Sequence, residues 1–172
     1  LTLSLIDAIP ALLAGCAVLV KPSEVAPRFV EPLKRSIAAV PELAVVLDLV
    51  PGDGRAGAAL VGLVDVVCFT GSVATGRKVA EAAAARFIPA FLELGGKDPA
   101  VVLASADLEL ATDVVLKGSI ANNGHACMSL ERVYVQRPLF EPFVRRLVQK
   151  AEAVALAFPD PRRGHLGPLI FE

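Results

Sequence analysis

The stretch that decides the fold is VDVVCFTGSVATGRKVAEAAAAR, residues 64–86. It begins with a run of β-branched and aromatic residues, which is typical of a buried strand. Gly71-Ser72 ends that run, and the residues after it have helical spacing, with Ser72 as the N-cap. A strand that passes into a helix in this way predicts a βα unit of a parallel sheet.

The same alternation of strands and helices continues outward in both directions. Strands are predicted over 16–23, 43–54, 64–72, 87–96, 99–105 and 131–137, and helices over 27–40, 55–63, 72–86, 107–122 and 139–156. Fully apolar strands are typical of a sheet that helices cover on both faces. We therefore expect an α/β fold with a doubly wound, mostly parallel, Rossmann-like sheet.

Composition narrows the classes of function. The chain has 172 residues, enough for one domain or for one domain and part of a second. Hydrophobic residues make up 55% of it and charged residues 20%, which favours a folded chain over a disordered one. The net charge of −1 comes without a block of like charge, so we expect no nucleic-acid or membrane partner. The longest uncharged run, 8–20, contains Pro10 and is too short to span a bilayer.

The three cysteines differ in their surroundings. Cys16 and Cys68 lie inside apolar runs, which predicts that both are buried, whereas Cys127 lies in a loop of small and polar residues. Their odd number and their spacing indicate reduced thiols, a cytoplasmic protein and no metal site. Because the chain starts at Leu1 within an apolar pattern, we expect it to be an internal piece of a longer protein.

Polar residues follow the predicted strands, and ligands of parallel sheets bind beyond the carboxyl ends of the strands. The candidate contacts are Lys21-Pro22-Ser23-Glu24, Pro51-Gly52-Asp53-Gly54, Thr70-Gly71-Ser72 and Glu93-Leu94-Gly95-Gly96. A helix that starts at Gly71-Ser72 suits a phosphate, although an ordinary capped helix fits the same residues. Glu24 suits the hydroxyls of a ribose, and a loop salt bridge with Lys21 is the alternative.

Two further residues suggest chemistry. Glu93 lies between apolar residues, and burial would raise its pKa toward that of a general base; a carboxylate bonded to the backbone at a strand end is the alternative. Asn122-Asn123-Gly124 predicts a tight turn that presents the Cys127 thiol, and an inert loop cysteine is the alternative. His125 lies two residues from the thiol, a separation that favours a direction away from it over a Cys–His pair.

Together these segments resemble the NAD(P)-dependent aldehyde dehydrogenase superfamily. The matching pieces, in order, are PALLAGCAVLVKPSE, VPGDG, DVVCFTGSVATGRKVAEAAA, FLELGGKDPAVVLASADLELA, NNGHACMSLERVYV and GPLI. They cover essentially the whole chain, and LELGGKDP and the Gly-x-x-Cys loop are signature segments of that family. His125 departs from the Gln or Glu that the family usually has at that position.

The resemblance implies oxidation of an aldehyde to a carboxylic acid with NAD(P), through a thiohemiacetal and a thioester on the cysteine. It implies that residues 1–93 are part of the NAD-binding domain and that 94–172 begin the catalytic domain. The implied catalytic residues are Cys127 as nucleophile, with its backbone N–H in the oxyanion hole, and Glu93 as the base that activates water and helps to deprotonate the thiol. The implied cofactor contacts are Lys21 and Glu24 at the adenosine ribose, Gly71 and Ser72 at the pyrophosphate, and Leu94 at the nicotinamide. Glu24 favours NAD over NADP, since its charge would repel a 2′-phosphate.

Two alternatives stay open at this point. One is a non-catalytic fragment of such an enzyme, lacking part of the active site. The other is a CoA-acylating relative, against which Glu93 argues, because those relatives tend to lack the water-activating glutamate. The resemblance also implies that the parent enzyme is a homo-oligomer that acts on a small aldehyde.

Overall fold

The computed structural model describes residues 2–160 and 162–170. It divides the chain into two compact units, Leu1–Leu94 and Gly95–Glu172. Each unit combines helices with parallel strands, which confirms the expected α/β class. No described helix is both long enough and apolar enough to cross a bilayer.

The first unit holds four strands and six helices among its described residues. They are α1 (Thr2–Leu5), α2 (Ala8–Leu13), β1 (Val18–Val20), α3 (Val30–Ala38), α4 (Pro41–Ala44), β2 (Leu47–Leu49), α5 (Gly54–Val61), β3 (Val67–Gly71), α6 (Val73–Ala84) and β4 (Ala90–Leu94), with a short 3-10 turn at Pro27–Phe29 before α3. The strand predicted over 43–54 begins only at Leu47, because Pro41 starts a short helix ahead of it.

The strands of the first unit form two parallel ladders. β1 pairs with β2, with Val18 opposite Leu47, and β3 pairs with β4, with Val67 opposite Ala90 and Gly71 opposite Leu94. Because each pair is parallel, the carboxyl ends of its two strands lie at the same edge. The residues that follow the two strands of a pair are therefore neighbours.

A single apolar cluster covers the β1–β2 ladder. Its buried members come from helices α2 and α3 and from both strands: Ala8, Val20, Val30, Ile37, Leu47 and Leu49. Leu49 is completely buried. Burial of such side chains stabilises the fold by about 1.5–3 kcal/mol each, and it fixes the level at which β1 and β2 end.

The second unit holds the remaining elements, β5 (Asp98–Val102), α7 (Leu108–Ile120), β6 (Leu130–Val135) and α8 (Arg137–Glu152). β5 and β6 are parallel, with Val102 opposite Val135. Asp107 is the N-cap of α7, and its carboxylate accepts the Leu110 N–H at 2.8 Å. Val102, Val115 and Phe143 form the buried core between the ladder and these two helices.

The predicted burial of Cys16 and Cys68 was wrong, since both are exposed. Cys16 lies in the loop after α2, where Gly15 adopts a left-handed φ of 84°, and so precedes β1 rather than belonging to it. Cys68 points to the same face of the β3–β4 ladder as Phe91, its partner in register, and Phe91 is 64% exposed. A fully apolar strand predicts cover on both faces, but in the described part of this unit that face is left open.

Candidate active site

Lys21 joins the ends of β1 and β2. Its Nζ donates to Glu24 Oε2 at 2.8 Å and to the Gly52 carbonyl oxygen at 2.9 Å. The hydrogen bond from Lys21 holds the pKa of Glu24 below its usual value, so the carboxylate is ionised at neutral pH. The salt bridge given above as the alternative is therefore present, and the Glu24 side chain is still 58% exposed and accessible to a ligand.

Asp53 has a structural role at the same edge. Its carboxylate caps α5 by accepting the Arg55 N–H at 2.9 Å and the Ala56 N–H at 3.4 Å. The Arg55 side chain also donates to it, which lowers the pKa of Asp53. Helix capping accounts for this aspartate without a ligand.

The junction between β3 and α6 has the predicted form. Ser72 Oγ accepts the Thr75 N–H at 3.2 Å, so Ser72 is the N-cap of a 12-residue helix. The Phe69 ring lies over Gly71, and a Cβ added at Gly71 would come within 2.6 Å of Phe69 Cζ. A side chain at this position would therefore force the Phe69 ring away from the backbone at the start of the helix.

The end of β4 lies at the same level as this junction. Leu94 is opposite Gly71, and Glu93 is opposite Thr70. The Leu94 side chain packs against Gly76 of α6, where a Cβ would lie 2.5 Å from Leu94 Cδ2. The structure therefore places Leu94 beside the helix that Ser72 caps.

The expected burial of Glu93 was wrong, because the described residues leave this side chain exposed. Its partner in register, Thr70, lies two residues after Cys68 on β3, so Glu93 points to the open face of the ladder. The apolar residues on either side of it in sequence, Leu92 and Leu94, point to the opposite face, which α6 covers. Alternation along the strand explains how a glutamate between two leucines stays accessible.

Cys127 lies in a loop with an unusual backbone. Asn122 (φ 51°, ψ 38°), Asn123 (φ 59°, ψ 26°) and Gly124 (φ 74°) are three successive left-handed residues. Left-handed geometry costs an ordinary residue roughly 1–2 kcal/mol, and asparagine and glycine tolerate it best. The predicted tight turn is confirmed, and it reverses the chain directly after α7.

Hydrogen bonds within the loop fix its two ends. The His125 N–H donates to the Asn122 carbonyl at 3.0 Å, and the Ser129 N–H donates to the Ala126 carbonyl at 3.0 Å. Ser119 Oγ of α7 donates to the Leu130 carbonyl at 2.8 Å, which joins the helix before the loop to the strand after it. Cys127 itself is exposed, between two ends that are both held.

Two longer connections involve this region of the second unit. The Asn123 side chain bonds to Gly167 and Pro168, 44 and 45 residues further along the chain. Lys97, which belongs to the LELGGKDP segment, forms an ion pair with Glu131 of β6. Neither connection could be predicted from the sequence, although the Asn-Asn-Gly pattern did mark the turn that carries Asn123.

The site residues fall into three groups. Lys21 and Glu24 lie at the β1–β2 edge and Gly71, Ser72 and Leu94 at the β3–β4 edge of the first unit, while Cys127 lies in the second unit. That Cys127 faces Glu93 stays a prediction. Among the described residues, no three His, Cys, Asp or Glu side chains cluster as metal ligands would.

Polar groups at the carboxyl ends of parallel strands, beside a serine-capped helix start, are the arrangement that dinucleotide-binding α/β proteins use. The sequence profile described as "Aldehyde dehydrogenase family" matches residues 1–172, and the chain belongs to that family.

Individual relatives agree with this assignment. The chain is 40% identical over 165 residues to 2-hydroxymuconic semialdehyde dehydrogenase of Pseudomonas sp. (strain CF600), a match that covers 94% of this chain and 34% of the relative. The solved structure of PutA from Anabaena variabilis superposes with a TM-score of 0.96 at 61% identity and covers 100% of this chain and 37% of that one. Betaine aldehyde dehydrogenase from Staphylococcus aureus, solved in complex with NAD+, superposes with a TM-score of 0.85 at 31% identity over 96% of this chain and 33% of its own. The chain thus spans about a third of the length of the relatives it matches.

Proposed function

We propose that this chain carries the nucleophile, the general base and much of the dinucleotide site of an NAD(P)-dependent aldehyde dehydrogenase. The observation that carries the proposal is the exposed Cys127, held between two fixed loop ends, in a chain that matches the family along its whole length. Residues 1–93 would belong to the NAD-binding domain, and 94–172 would begin the catalytic domain.

The chemistry begins at Cys127. Its thiolate sulfur attacks the carbonyl carbon of the aldehyde, a C–S bond forms, and the negative charge moves to the oxygen, where the Cys127 backbone N–H would stabilise it. A bound dinucleotide would accept the hydride released when the C–H bond of this carbon breaks, which leaves a thioester on Cys127. Water then attacks the thioester carbon while Glu93 takes its proton, the C–S bond breaks, and a carboxylic acid leaves.

The residues of the first unit fit a dinucleotide. Lys21 and the ionised Glu24 offer a donor and an acceptor to the hydroxyls of the adenosine ribose. The start of α6, with Gly71 and Ser72, offers backbone N–H groups and the positive end of a helix dipole to the pyrophosphate. Leu94, at the same level as Gly71, offers an apolar contact to the nicotinamide.

We also propose, from the family resemblance, that the full-length enzyme is a homo-oligomer that acts on a small aldehyde. The three free cysteines support a reducing compartment, the cytoplasm. A second candidate concerns these residues alone. Because they span 34% of the Pseudomonas relative, the isolated chain would be a non-catalytic part of such an enzyme.

The test uses the full-length protein that carries these residues and follows NADH formation with a panel of aldehydes. Cys127→Ser should abolish turnover, whereas Cys16→Ser and Cys68→Ser, which change the other two exposed cysteines, should retain it. Product formation by Cys127→Ser would show that another group is the nucleophile. The same assay on the isolated chain tests the second candidate, which predicts NADH formation by the full-length protein and none by the isolated chain.

Glu93 has a separate test. Glu93→Gln should allow attack and oxidation but slow hydrolysis, so mass spectrometry should find the acyl group trapped on Cys127. Glu81→Gln, which changes another exposed glutamate on α6, is the matched control and should leave no trapped acyl group. Unchanged hydrolysis in Glu93→Gln would remove this residue from the proposal. Release of an acyl-CoA on addition of CoA would instead identify the CoA-acylating reaction.

A further inference from the structure

Asn123 makes a two-point contact with a distant part of the second unit. Its Nδ2 donates to the Pro168 carbonyl at 3.0 Å, and its Oδ1 accepts the Gly167 N–H at 2.8 Å. Both polar groups of the amide therefore bond to one short stretch of backbone, and we call this pair of hydrogen bonds the Asn123 clamp. A two-point contact fixes orientation as well as distance, which one hydrogen bond does not.

The stretch that Asn123 holds is itself fixed at its other end. The Ala157 N–H donates to the Leu166 carbonyl at 2.6 Å, and Leu166 forms a parallel bridge with Leu156. The His165 N–H donates to the Ala155 carbonyl at 2.7 Å. Ala157 is 8% exposed, so this anchor is part of the folded unit. The clamp therefore ties the loop to the segment that follows α8.

The clamp is the long-range connection of the Cys127 loop. In the described part of the chain, the other hydrogen bonds of the loop join residues at most 11 positions apart, the longest being that from Ser119 to Leu130. Those bonds set the shape of the loop and hold its two ends, and the clamp adds a contact between the turn and the segment that follows α8. Asn123 lies four residues before Cys127, so a tilt of the turn moves the thiol with it.

We propose that Asn123 is a positioning residue: by clamping Gly167 and Pro168 it orients the loop so that the Cys127 sulfur is aimed for attack on the aldehyde. This inference rests on the proposed function, in which Cys127 is the nucleophile. Misplacement of a reacting group by about 1 Å is enough to cost roughly a hundredfold in rate. The effect should therefore fall on the chemical step rather than on binding.

Substitution to glycine separates the side chain from the backbone. Asn123→Gly accepts the left-handed conformation without strain but removes the amide, so the clamp is lost while the turn is kept. Asn123→Asp keeps an acceptor for the Gly167 N–H and loses the donor to Pro168. The matched control is Asn122→Gly, because the amide of Asn122 bonds within the loop, to the His125 carbonyl at 3.3 Å.

Three measurements are made on the full-length protein. Hydrogen exchange of the Gly167 amide reports the clamp directly, the rate of Cys127 alkylation by iodoacetamide reports the presentation of the thiol, and steady-state kinetics report kcat and KM. We expect Asn123→Gly to exchange Gly167 faster, to change the alkylation rate, and to lower kcat about tenfold or more, with KM for NAD within about twofold. In all three measurements, the values for Asn123→Asp should lie between those of Asn123→Gly and those of the unchanged protein. Asn122→Gly should leave Gly167 exchange unchanged.

Two results would overturn the inference. Unchanged exchange at Gly167 in Asn123→Gly would mean that the clamp does not form, and faster exchange with unchanged alkylation and kcat would mean that it is only structural. Failure of the proposed function is recognised separately. If the unchanged full-length protein oxidises no aldehyde, the exchange and alkylation rates still decide whether Asn123 orients Cys127.

Discussion

Gly76→Ala should weaken the first unit because it forces Leu94 to move. A Cβ at Gly76 would lie 2.5 Å from Leu94 Cδ2 and 3.2 Å from Cδ1. Carbon atoms in contact prefer about 3.5–4.0 Å, so the end of Leu94 must retreat by about 1 Å. Overpacking of this kind costs about 1–3 kcal/mol. The gain from alanine over glycine inside a helix is about 1 kcal/mol, so the free energy of unfolding should fall by about 0–2 kcal/mol.

The decisive experiment removes the obstacle. In a Leu94→Ala background the space is open, so Gly76→Ala should instead raise the free energy of unfolding by about 1 kcal/mol, the helix term alone. Urea unfolding of all four proteins, followed by circular dichroism, gives a coupling energy that we expect to be about 1–3 kcal/mol. If Gly76→Ala stabilises both backgrounds equally, Leu94 does not fill this space and the packing argument fails. Because Leu94 is the proposed nicotinamide contact, KM for NAD should rise in Gly76→Ala even where stability is nearly unchanged.

Two other predictions rest on charged groups. Glu24→Gln removes the ionised carboxylate but keeps an acceptor, so the preference for NAD over NADP, measured as a ratio of kcat/KM values, should fall about tenfold; an unchanged ratio would show that Glu24 does not face the 2′ position. In the second unit, Lys150 Nζ donates to the Asp113 carboxylate at 2.6 Å, and this hydrogen bond lowers the pKa of Asp113. The ion pair therefore stabilises the fold at pH values above the usual aspartate pKa. That stability is lost as the pH falls through the lowered pKa of Asp113. Acid unfolding should therefore be shallower in Lys150→Met, and equal pH profiles for the two proteins would contradict this.

Local chemistry explains which features the sequence could predict. Ser72 caps α6 because a hydroxyl can accept a free N–H of the first helical turn, and that requirement is local. The turn at Asn122-Asn123-Gly124 is predictable for the same reason, since asparagine and glycine tolerate left-handed backbone. The α/β class follows from the alternation of apolar strands with helices, which the structure confirms.

The wrong predictions concern what covers each residue. The apolar neighbours of Cys68 and Glu93 suggested burial, but a strand has two faces, and pattern alone does not show whether both are covered. Cys16 was assigned to a strand that in fact begins at Val18. The Asn123 clamp joins residues 44 and 45 positions apart, and contacts at that separation leave no periodic signal in the sequence.

Exposure does not single out Cys127, because all three cysteines are exposed. Cys68 is disfavoured as a nucleophile, since partial burial, together with Asp7, raises the pKa of its thiol. The loop of Cys127 differs in its backbone, because Asn122 and Asn123 have left-handed geometry. That geometry would cost an ordinary residue roughly 1–2 kcal/mol. Such a conformation persists where the surrounding contacts over-determine it, and the bonds from Ser119 and Asn123 do so here. Under the proposed function, this turn and its tie to a distant segment would serve to aim the Cys127 sulfur.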